Sequence, residues 1–395
     1  MKILITNHFP LKGSGSGVYV TNIAKELVKK GHEVCIIMPE NTLGLDKVEN
    51  VKTHPVYFKH IEEIEGQVNF NFLCFDSHPR SPMLFPDATE EQIKEYEEAF
   101  RKAIEYEIKE FKPDVIHSQH IWIITAVAAE FGIPVITTCH GSDLMGYNDW
   151  SNFHNYTKKA AEGSKKIIAI SNRNNEKLSN IYGKEKVMTM SNGYNPDMFY
   201  KEEYNKEEVL KSFNIDKNYK KVICFAGRLN PNKGVDILFN SLKLCNNNDI
   251  ITLIAGNGQG FEPLNKMREE LGLDNVKLIG EQSHSNLRKM YNISDLCVIP
   301  SREEAFGLVA LEAIACGTPV VATNQGGMPD FITKEVGILV EKENVKELSS
   351  AINEIIEERI KFDPNYLHKY AKEKYSQEAF IDALIKEYEN AINKE

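Results

Sequence analysis

The chain alternates short apolar, β-branched runs with longer stretches in which apolar residues recur every three or four positions. Residues 1–6 form a continuous run of the first kind, the pattern of a parallel strand buried on both faces. Val20, Ile23, Ala24 and Leu27 then recur at helical intervals until Gly31, and residues 34–38 are strand-like again. Residues 41–86 are irregular. Residues 66–72 alternate as a strand would, and residues 77–82 are rich in breakers. A long acidic helix is predicted over 87–111, with Thr89 and Gln92 as a capping box and Ile93, Tyr96, Phe100, Ile104, Ile108 and Phe111 as its apolar stripe. Strands follow at 114–117, 134–139, 166–171 and 187–190, the first two joined by a helix from about Trp122 to Glu130.

The pattern then restarts. Residues 192–197 are turn-rich and residues 201–211 strongly charged, which puts a domain boundary near residue 200. Strand-like runs recur at 221–226, 251–256, 276–280, 295–300, 320–322 and 337–340, separated by helical stretches, and helices close the chain, the last over 375–392. Two successive sets of alternating strands and helices predict an α/β protein of two Rossmann-like, doubly wound domains with a cleft between them.

Composition narrows the partners. The chain has 395 residues, 42% hydrophobic and 26% charged, with a net charge of −10. Divided at residue 200, 22 basic residues stand against 26 acidic ones, then 25 against 31. Neither half is basic, so no nucleic-acid partner is expected. Seven scattered cysteines without a Cys-x-x-Cys pair predict free thiols in a reducing compartment. No apolar run reaches membrane-spanning length, the N-terminal run is too short for a signal peptide, and no basic amphipathic helix gives a firm membrane signal. These features predict a cytoplasmic protein. They leave the oligomeric state open.

Candidate chemistry falls after the strands. In residues 300–330, Gly307 stands at a helix entry, where a ligand can approach backbone N–H groups and the helix dipole favours an anion. Glu304 and Glu312 are eight residues apart, close to one face if the helical period holds, and their carboxylates accept hydrogen bonds from hydroxyls. An isolated Glu is more often a solvated residue, but Glu312 interrupts an apolar helix. Phosphate-binding backbone beside two hydroxyl-binding carboxylates suits a nucleotide-sugar. Arg228 and Lys233, in a glycine-containing loop after residues 221–226, are free to converge on a diphosphate; solvated loop cations are the alternative. The glycines of residues 13–17 precede a helix. A dinucleotide fingerprint, with Glu40 as its ribose acid, competes there with a flexible loop facing a phosphate or sugar, and with a plain linker. His140 follows a strand. His117 and His120 have metal-compatible spacing but no third ligand cluster, so a structural role is favoured for His117. Asp-x-Asp is absent, so no metal site is expected.

These motifs resemble the GT-B-fold retaining glycosyltransferases of family 4 (glycosyl transferases group 1). Glu304-x7-Glu312 with Phe306-Gly307-Leu308 inside is similar to that family's E-x7-E signature, and Gly227-Arg228-Leu229 with Lys233-Gly234 to its G-R-x…K-G segment. The glycine loop, His140-Gly141-Ser142-Asp143 and the stretch from Ser191 to Phe199 follow in the family's order. The loop departs from the usual adjacent glycines by alternating them with serines.

The resemblance implies an acceptor-binding domain over 1–200, a donor-binding domain over 201–374, and a helix at 375–395 crossing back to the first. It implies that Arg228 and Lys233 bind the donor diphosphate, Glu312 the ribose, and Glu304 the donor sugar. Phe306, Gly307 and Leu308 would offer N–H groups, His140 would sit over the transferred sugar, Gly15 and Gly17 would close on the donor, and the segment around Gly280 would frame the base. Transfer with retention from a UDP-sugar to an unknown acceptor is implied, through an oxocarbenium-like state and without metal or cofactor. An epimerase or sugar phosphorylase, a non-catalytic nucleotide-sugar sensor and a dehydrogenase remain as alternatives. Arg80 or His78 would meet an anionic acceptor if they are not simply surface residues. Tyr19 and Trp122 are sugar-stacking candidates for which core packing is the safer expectation.

Overall fold

The structure, a computed structural model, describes residues 1–42, 47–59, 67–76, 78–245, 249–304 and 306–393. Gly66, Ser77 and Ala305, which fall in segments considered above, lie outside the described residues. The chain divides into two units, Met1–Met190 with Ile381–Glu395, and Ser191–Phe380.

In the first unit the strands are β1 (Lys2–Thr6), β2 (Glu33–Glu40), β3 (Lys52–Tyr57), β4 (Val115–Gln119), β5 (Val135–Cys139), β6 (Ser164–Ala169) and β7 (Val187–Thr189). They lie in the order β3-β2-β1-β4-β5-β6-β7, and every pair is parallel. The helices are α1 (Gly15–Lys29), α2 (Glu90–Glu110), α3 (Ile123–Ala128), α4 (Ser142–Asp149), α5 (His154–Gly163) and α6 (Asn172–Tyr182). In the second unit β8 (Lys221–Ala226), β9 (Ile250–Ala255), β10 (Val276–Gly280), β11 (Leu296–Ile299), β12 (Val320–Thr323) and β13 (Gly337–Val340) lie in the order β10-β9-β8-β11-β12-β13, again all parallel. Its helices are α7 (Lys206–Ser212), α8 (Val235–Lys243), α9 (Phe261–Glu270), α10 (His284–Ile293), α11 (Leu308–Ala315), α12 (Met328–Phe331), α13 (Val345–Ile356) and α14 (Pro364–Tyr375). The last helix, α15 (Gln377–Asn393), starts in the second unit and counts with the first from Ile381 on.

Both sheets are doubly wound. Strand order reverses between β1 and β4 and between β8 and β11, and a crevice opens beyond the strand ends at such a switch point. Ile3, Leu4 and Ile5 of β1 and Val222, Ile223 and Cys224 of β8 are fully buried, because helices cover both faces of each sheet.

Two elements differ from expectation. The irregular stretch contains β3, an edge strand whose Pro55 is tolerated because an edge needs no further ladder partner. The alternating stretch at 66–72 forms no strand where it is described; it makes one isolated bridge, Phe58 to Val68, and buries Phe70 and Phe72 against Phe58. The capping box of α2 is present, with Thr89 Oγ1 accepting from Gln92 N–H and Gln92 Oε1 from Thr89 N–H. The charges of α2 are not all solvated. Glu107 is buried, 2.5 Å from Lys52 Nζ and 2.7 Å from His54 Nδ1 on β3. Burial alone raises its pKa, but the hydrogen bonds from Lys52 and His54 outweigh that and hold the carboxyl below its ordinary value.

A carboxyl with a lowered folded pKa stabilises above the unfolded carboxylate range and loses that contribution as pH falls through the folded value. Glu107→Gln should therefore destabilise by about 2 kcal/mol in urea unfolding at pH 7. The gap should narrow as pH falls from 5 towards 3. A gap that stays constant over that range would mean that packing, not charge, makes the contribution.

Candidate functional site

In the second unit the candidate residues gather beyond the ends of β8, β9 and β11. Gly227 and Gly256 follow β8 and β9, and a Cβ on Gly256 would lie 1.9 Å from the Gly227 carbonyl oxygen, so these two turns meet backbone to backbone. Beside them opens a pocket of about 470 Å³ lined by Arg228, Asn257, Glu281 and Gln282 among others. Arg228 is exposed, and among the described residues its guanidinium has no hydrogen-bond or ion-pair partner. Gly280 precedes this wall with φ +72° and open space where a Cβ would be. Asn257 and Gln282 had no role in the sequence reading. The polar turn after each strand was the available signal for them.

Lys233 is placed by a different contact. Gly234 has φ +65°, and a Cβ there would lie 2.0 Å from the Pro300 carbonyl oxygen. That approach sets the loop after β8 against the loop after β11. Arg302 N–H donates to the Asn232 carbonyl at 2.7 Å, and its guanidinium forks onto Asp236 at 2.9 and 2.7 Å. Lys233 Nζ then reaches Glu304 Oε2 at 2.7 Å, with Ser301 Oγ 3.4 Å from the same oxygen. Lys233 and Glu304 are brought together, as a pair that neutralises itself.

Glu304 and Glu312 do not share a helix face. Helix α11 begins only at Leu308, so Glu304 lies in the loop and the helical period does not extend to it. Gly307 caps α11 with φ +100°, and a Cβ there would lie 2.6 Å from Met328 Sδ. Among the described residues no side chain caps this helix, so its first N–H groups are without intrahelical acceptors. Phe306 is buried, its ring centroid 5.4 Å from that of Phe331, while Leu308 is exposed. Glu312 is half-buried one turn into α11, and Tyr291 Oη donates to it at 3.4 Å. Burial pushes its carboxyl up to about 8, with the Tyr291 hydrogen bond opposing only part of the shift.

In the first unit, Gly15 and Gly17 belong to the first turn of α1 and not to a flexible loop. Ser14 ends the loop by capping the helix, its Oγ accepting from Gly17 N–H at 3.0 Å. Gly17 is required there, since a Cβ would lie 2.4 Å from the Pro10 carbonyl oxygen. Gly15 faces open space. His140 follows β5, its Nε2 2.9 Å from Gln119 Oε1, its ring beside His120 at 4.8 Å and met edge-on by Tyr19 at 4.9 Å. Burial lowers its pKa to about 3, so it is neutral at pH 7. Asp143, quoted in the sequence motif without a role, is fully buried and accepts from Gly141 N–H at 2.9 Å and Ile121 N–H at 3.0 Å, tying the loop after β5 to the loop after β4.

Several other candidates are occupied elsewhere. Both nitrogens of His117 are engaged, by Thr138 Oγ1 at 2.8 Å and Tyr388 Oη at 2.7 Å. Trp122 is fully buried among aromatic rings. Arg80 and His78 are not surface residues: His78 is buried, and Arg80 pairs with the buried Glu40 and donates to Asn41 Oδ1. Glu40 Oε1 also accepts from Asn41 and Thr42 N–H groups, and the carboxylate is buried, which disfavours it as the ribose acid that a dinucleotide reading needs. Among the described residues no three His, Cys, Asp or Glu side chains gather as metal ligands, and no helix is long and apolar enough to cross a membrane.

Comparison with known proteins adds the following. The family model described as Glycosyl transferases group 1 matches residues 205–376, and that described as Glycosyltransferase Family 4 matches residues 13–198. An uncharacterized glycosyltransferase of Methanocaldococcus jannaschii is 30% identical over 287 residues, covering 70% of this chain and 75% of its own. A second from the same organism is 28% identical over 415 residues, covering 99% of each. Among solved structures, Anabaena HepE in complex with UDP aligns with a TM-score of 0.76 at 18% identity, over 99% of this chain and 100% of its own.

The raised pKa of Glu312 gives a test of its surroundings. A carboxyl that binds its proton more tightly when folded costs stability once pH rises above the unfolded value, and the cost grows until the folded value is passed. Glu312→Gln should thus gain on wild type as pH rises from 5 to 8, by on the order of 1–3 kcal/mol after allowance for partial solvation. Thermal unfolding of both proteins across that range reads it. A difference that does not change with pH would place the carboxylate in water.

Proposed function

Because the chain belongs to the glycosyltransferases of group 1 and family 4 and is a transferase, we propose that it moves a hexosyl unit from a UDP-sugar to an acceptor hydroxyl, with retention at the anomeric carbon and without metal. The observation that carries this reading is that Arg228, without a partner among the described residues, the Lys233–Glu304 pair and the start of α11, without a side-chain cap among the described residues, all follow the ends of parallel strands in the second unit. Two cations and a helix N-terminus supply what a departing diphosphate needs, namely fixed positive charge and donors already oriented.

The roles follow from the chemistry of each group. Arg228 and Lys233 bind the diphosphate. Glu304 accepts from the sugar hydroxyls, and Glu312, in its less polar setting, accepts from the ribose. Phe306, Gly307 and Leu308 contribute backbone N–H groups, and Gly280 leaves room for the base. In the first unit, His140 is the neutral contact to the transferred sugar, and the α1 start at Gly15 offers an N–H group to phosphate, with Gly17 holding that turn through the Ser14 cap. The anomeric C–O bond to the diphosphate breaks, and the bond to the acceptor oxygen forms on the same face. The acceptor's proton passes to the departing diphosphate oxygen. The nucleotide-sugar is a substrate, so the reaction requires no cofactor. HepE, a structural neighbour solved with UDP, supports uridine as the base. Seven free cysteines support a reducing, cytoplasmic setting.

A thermal-shift screen of UDP-, GDP- and ADP-sugars in EDTA tests the donor assignment. A UDP-sugar at a hundred times its Kd should stabilise wild type by about 2.7 kcal/mol. Arg228→Ala should bind it at least about tenfold more weakly, through loss of a charge-assisted contact. No response to any nucleotide-sugar at millimolar concentration would remove the donor site. A response seen only without EDTA would remove the metal-free mechanism.

A further inference from the structure

A hydrogen-bonded file runs through the core of the first unit, from its last helix to Tyr19, whose ring packs on His140. Tyr388 on α15 places its Oη 2.7 Å from His117 Nδ1. His117 Nε2 lies 2.8 Å from Thr138 Oγ1, and Thr138 Oγ1 lies 3.5 Å from Tyr19 Oη. The Tyr19 ring then meets His140 edge-on at 4.9 Å. Tyr388, His117 and Thr138 are all fully buried.

The file has a single polarity. Burial lowers the His117 pKa to about 3, with His140 adding to the effect, so the imidazole is neutral and carries one N–H and one lone pair. Burial also keeps the Tyr388 phenol protonated. Among the described residues the Tyr388 hydroxyl has His117 Nδ1 as its one hydrogen-bond partner, so it donates there; the reverse arrangement would leave a buried O–H without an acceptor. His117 must then carry its proton on Nε2 and donate to Thr138 Oγ1. The Thr138 proton is left to point at the Tyr19 oxygen. Thr138 also holds β4, its carbonyl accepting from His120 N–H at 2.8 Å.

We infer that Tyr388 is a positioning residue for His140. It selects the His117 tautomer, which orients Thr138 and through it Tyr19, whose ring holds the His140 imidazole in place. His117, which lies on no substrate surface, thereby acquires a role in the site. The inference rests on the transferase reading, in which His140 contacts the transferred sugar.

Tyr388→Phe tests it, since the ring and its packing remain and only the hydroxyl is lost. In 15N spectra of histidine-labelled protein, wild-type His117 should be a single tautomer with its proton on Nε2. The variant should show a mixture, with His140 resonances displaced. Turnover should fall about three- to tenfold, the loss of one hydrogen bond's orienting energy. KM for the donor and the thermal shift it produces should change less than turnover, because of the proposed donor contacts only His140 and the α1 start lie in the first unit. Thr138→Val should lose as much turnover as Tyr388→Phe, the double variant no more than either, and Thr138→Ser should recover wild-type turnover. An unchanged His117 tautomer, or additive losses in the double variant, would overturn the inference. If wild type binds and turns over no nucleotide-sugar, the transferase reading falls separately, and unmoved His140 resonances in Tyr388→Phe would still sink the file.

Discussion

The second unit's chemistry depends on one close backbone approach. Gly234 lies against the Pro300 carbonyl at a separation that no other residue type can reach, and it does so in a left-handed conformation that other residue types adopt at a cost. Everything nearby is registered by that contact. Asn232 meets Arg302, Arg302 forks onto Asp236, and Lys233 comes within reach of Glu304. Without it, a cation from the loop after β8 and a carboxylate from the loop after β11 would be flexible groups on separate turns. With it, they are a fixed pair beside the start of α11.

The two units use one topology to opposite electrostatic ends. At the strand ends of the first, burial keeps His8, His117, His120 and His140 uncharged, so polarity there is expressed through hydrogen bonds whose direction is fixed by tautomers. At the strand ends of the second, Arg228 is exposed and Lys233 stands on Glu304. On the transferase reading, a neutral His140, the one of the four that is not fully buried, suits the recognition of hydroxyls. A charged surface suits a diphosphate whose own charge changes during reaction.

Much of this was legible in the sequence. Parallel strands covered on both faces read as unbroken apolar runs, so β1, β4, β5, β8, β9 and β11 stood out, as did α2 with its capping box. β3 did not, because an edge strand need not bury both faces and Lys52–Tyr57 carries a proline, a histidine and a lysine. The start of α1 was misplaced because glycines weaken a helix; what decides it is the Ser14 cap and the close fit of Gly17 on Pro10, a contact no local pattern reveals. The residue types around the candidate site in the second unit were identified from their positions after strands. Their pairings were not. Lys233 and Glu304 are 71 residues apart, Arg80 and Glu40 are joined only by the fold, and the shared face expected for Glu304 and Glu312 assumed a helix that starts four residues later.

The Lys233–Glu304 pair makes ligand entry an exchange. A bare anion arriving at Lys233 must break an existing contact and leaves a carboxylate facing it, so it trades one ion pair for another and gains little. A molecule that brings phosphate for Lys233 and hydroxyls for Glu304 replaces both halves at once. On the transferase reading, the pair therefore favours a ligand that brings both groups over inorganic phosphate at Lys233. Selectivity for a sugar-bearing diphosphate then comes from what the protein already has bound to itself, before any substrate contact is made.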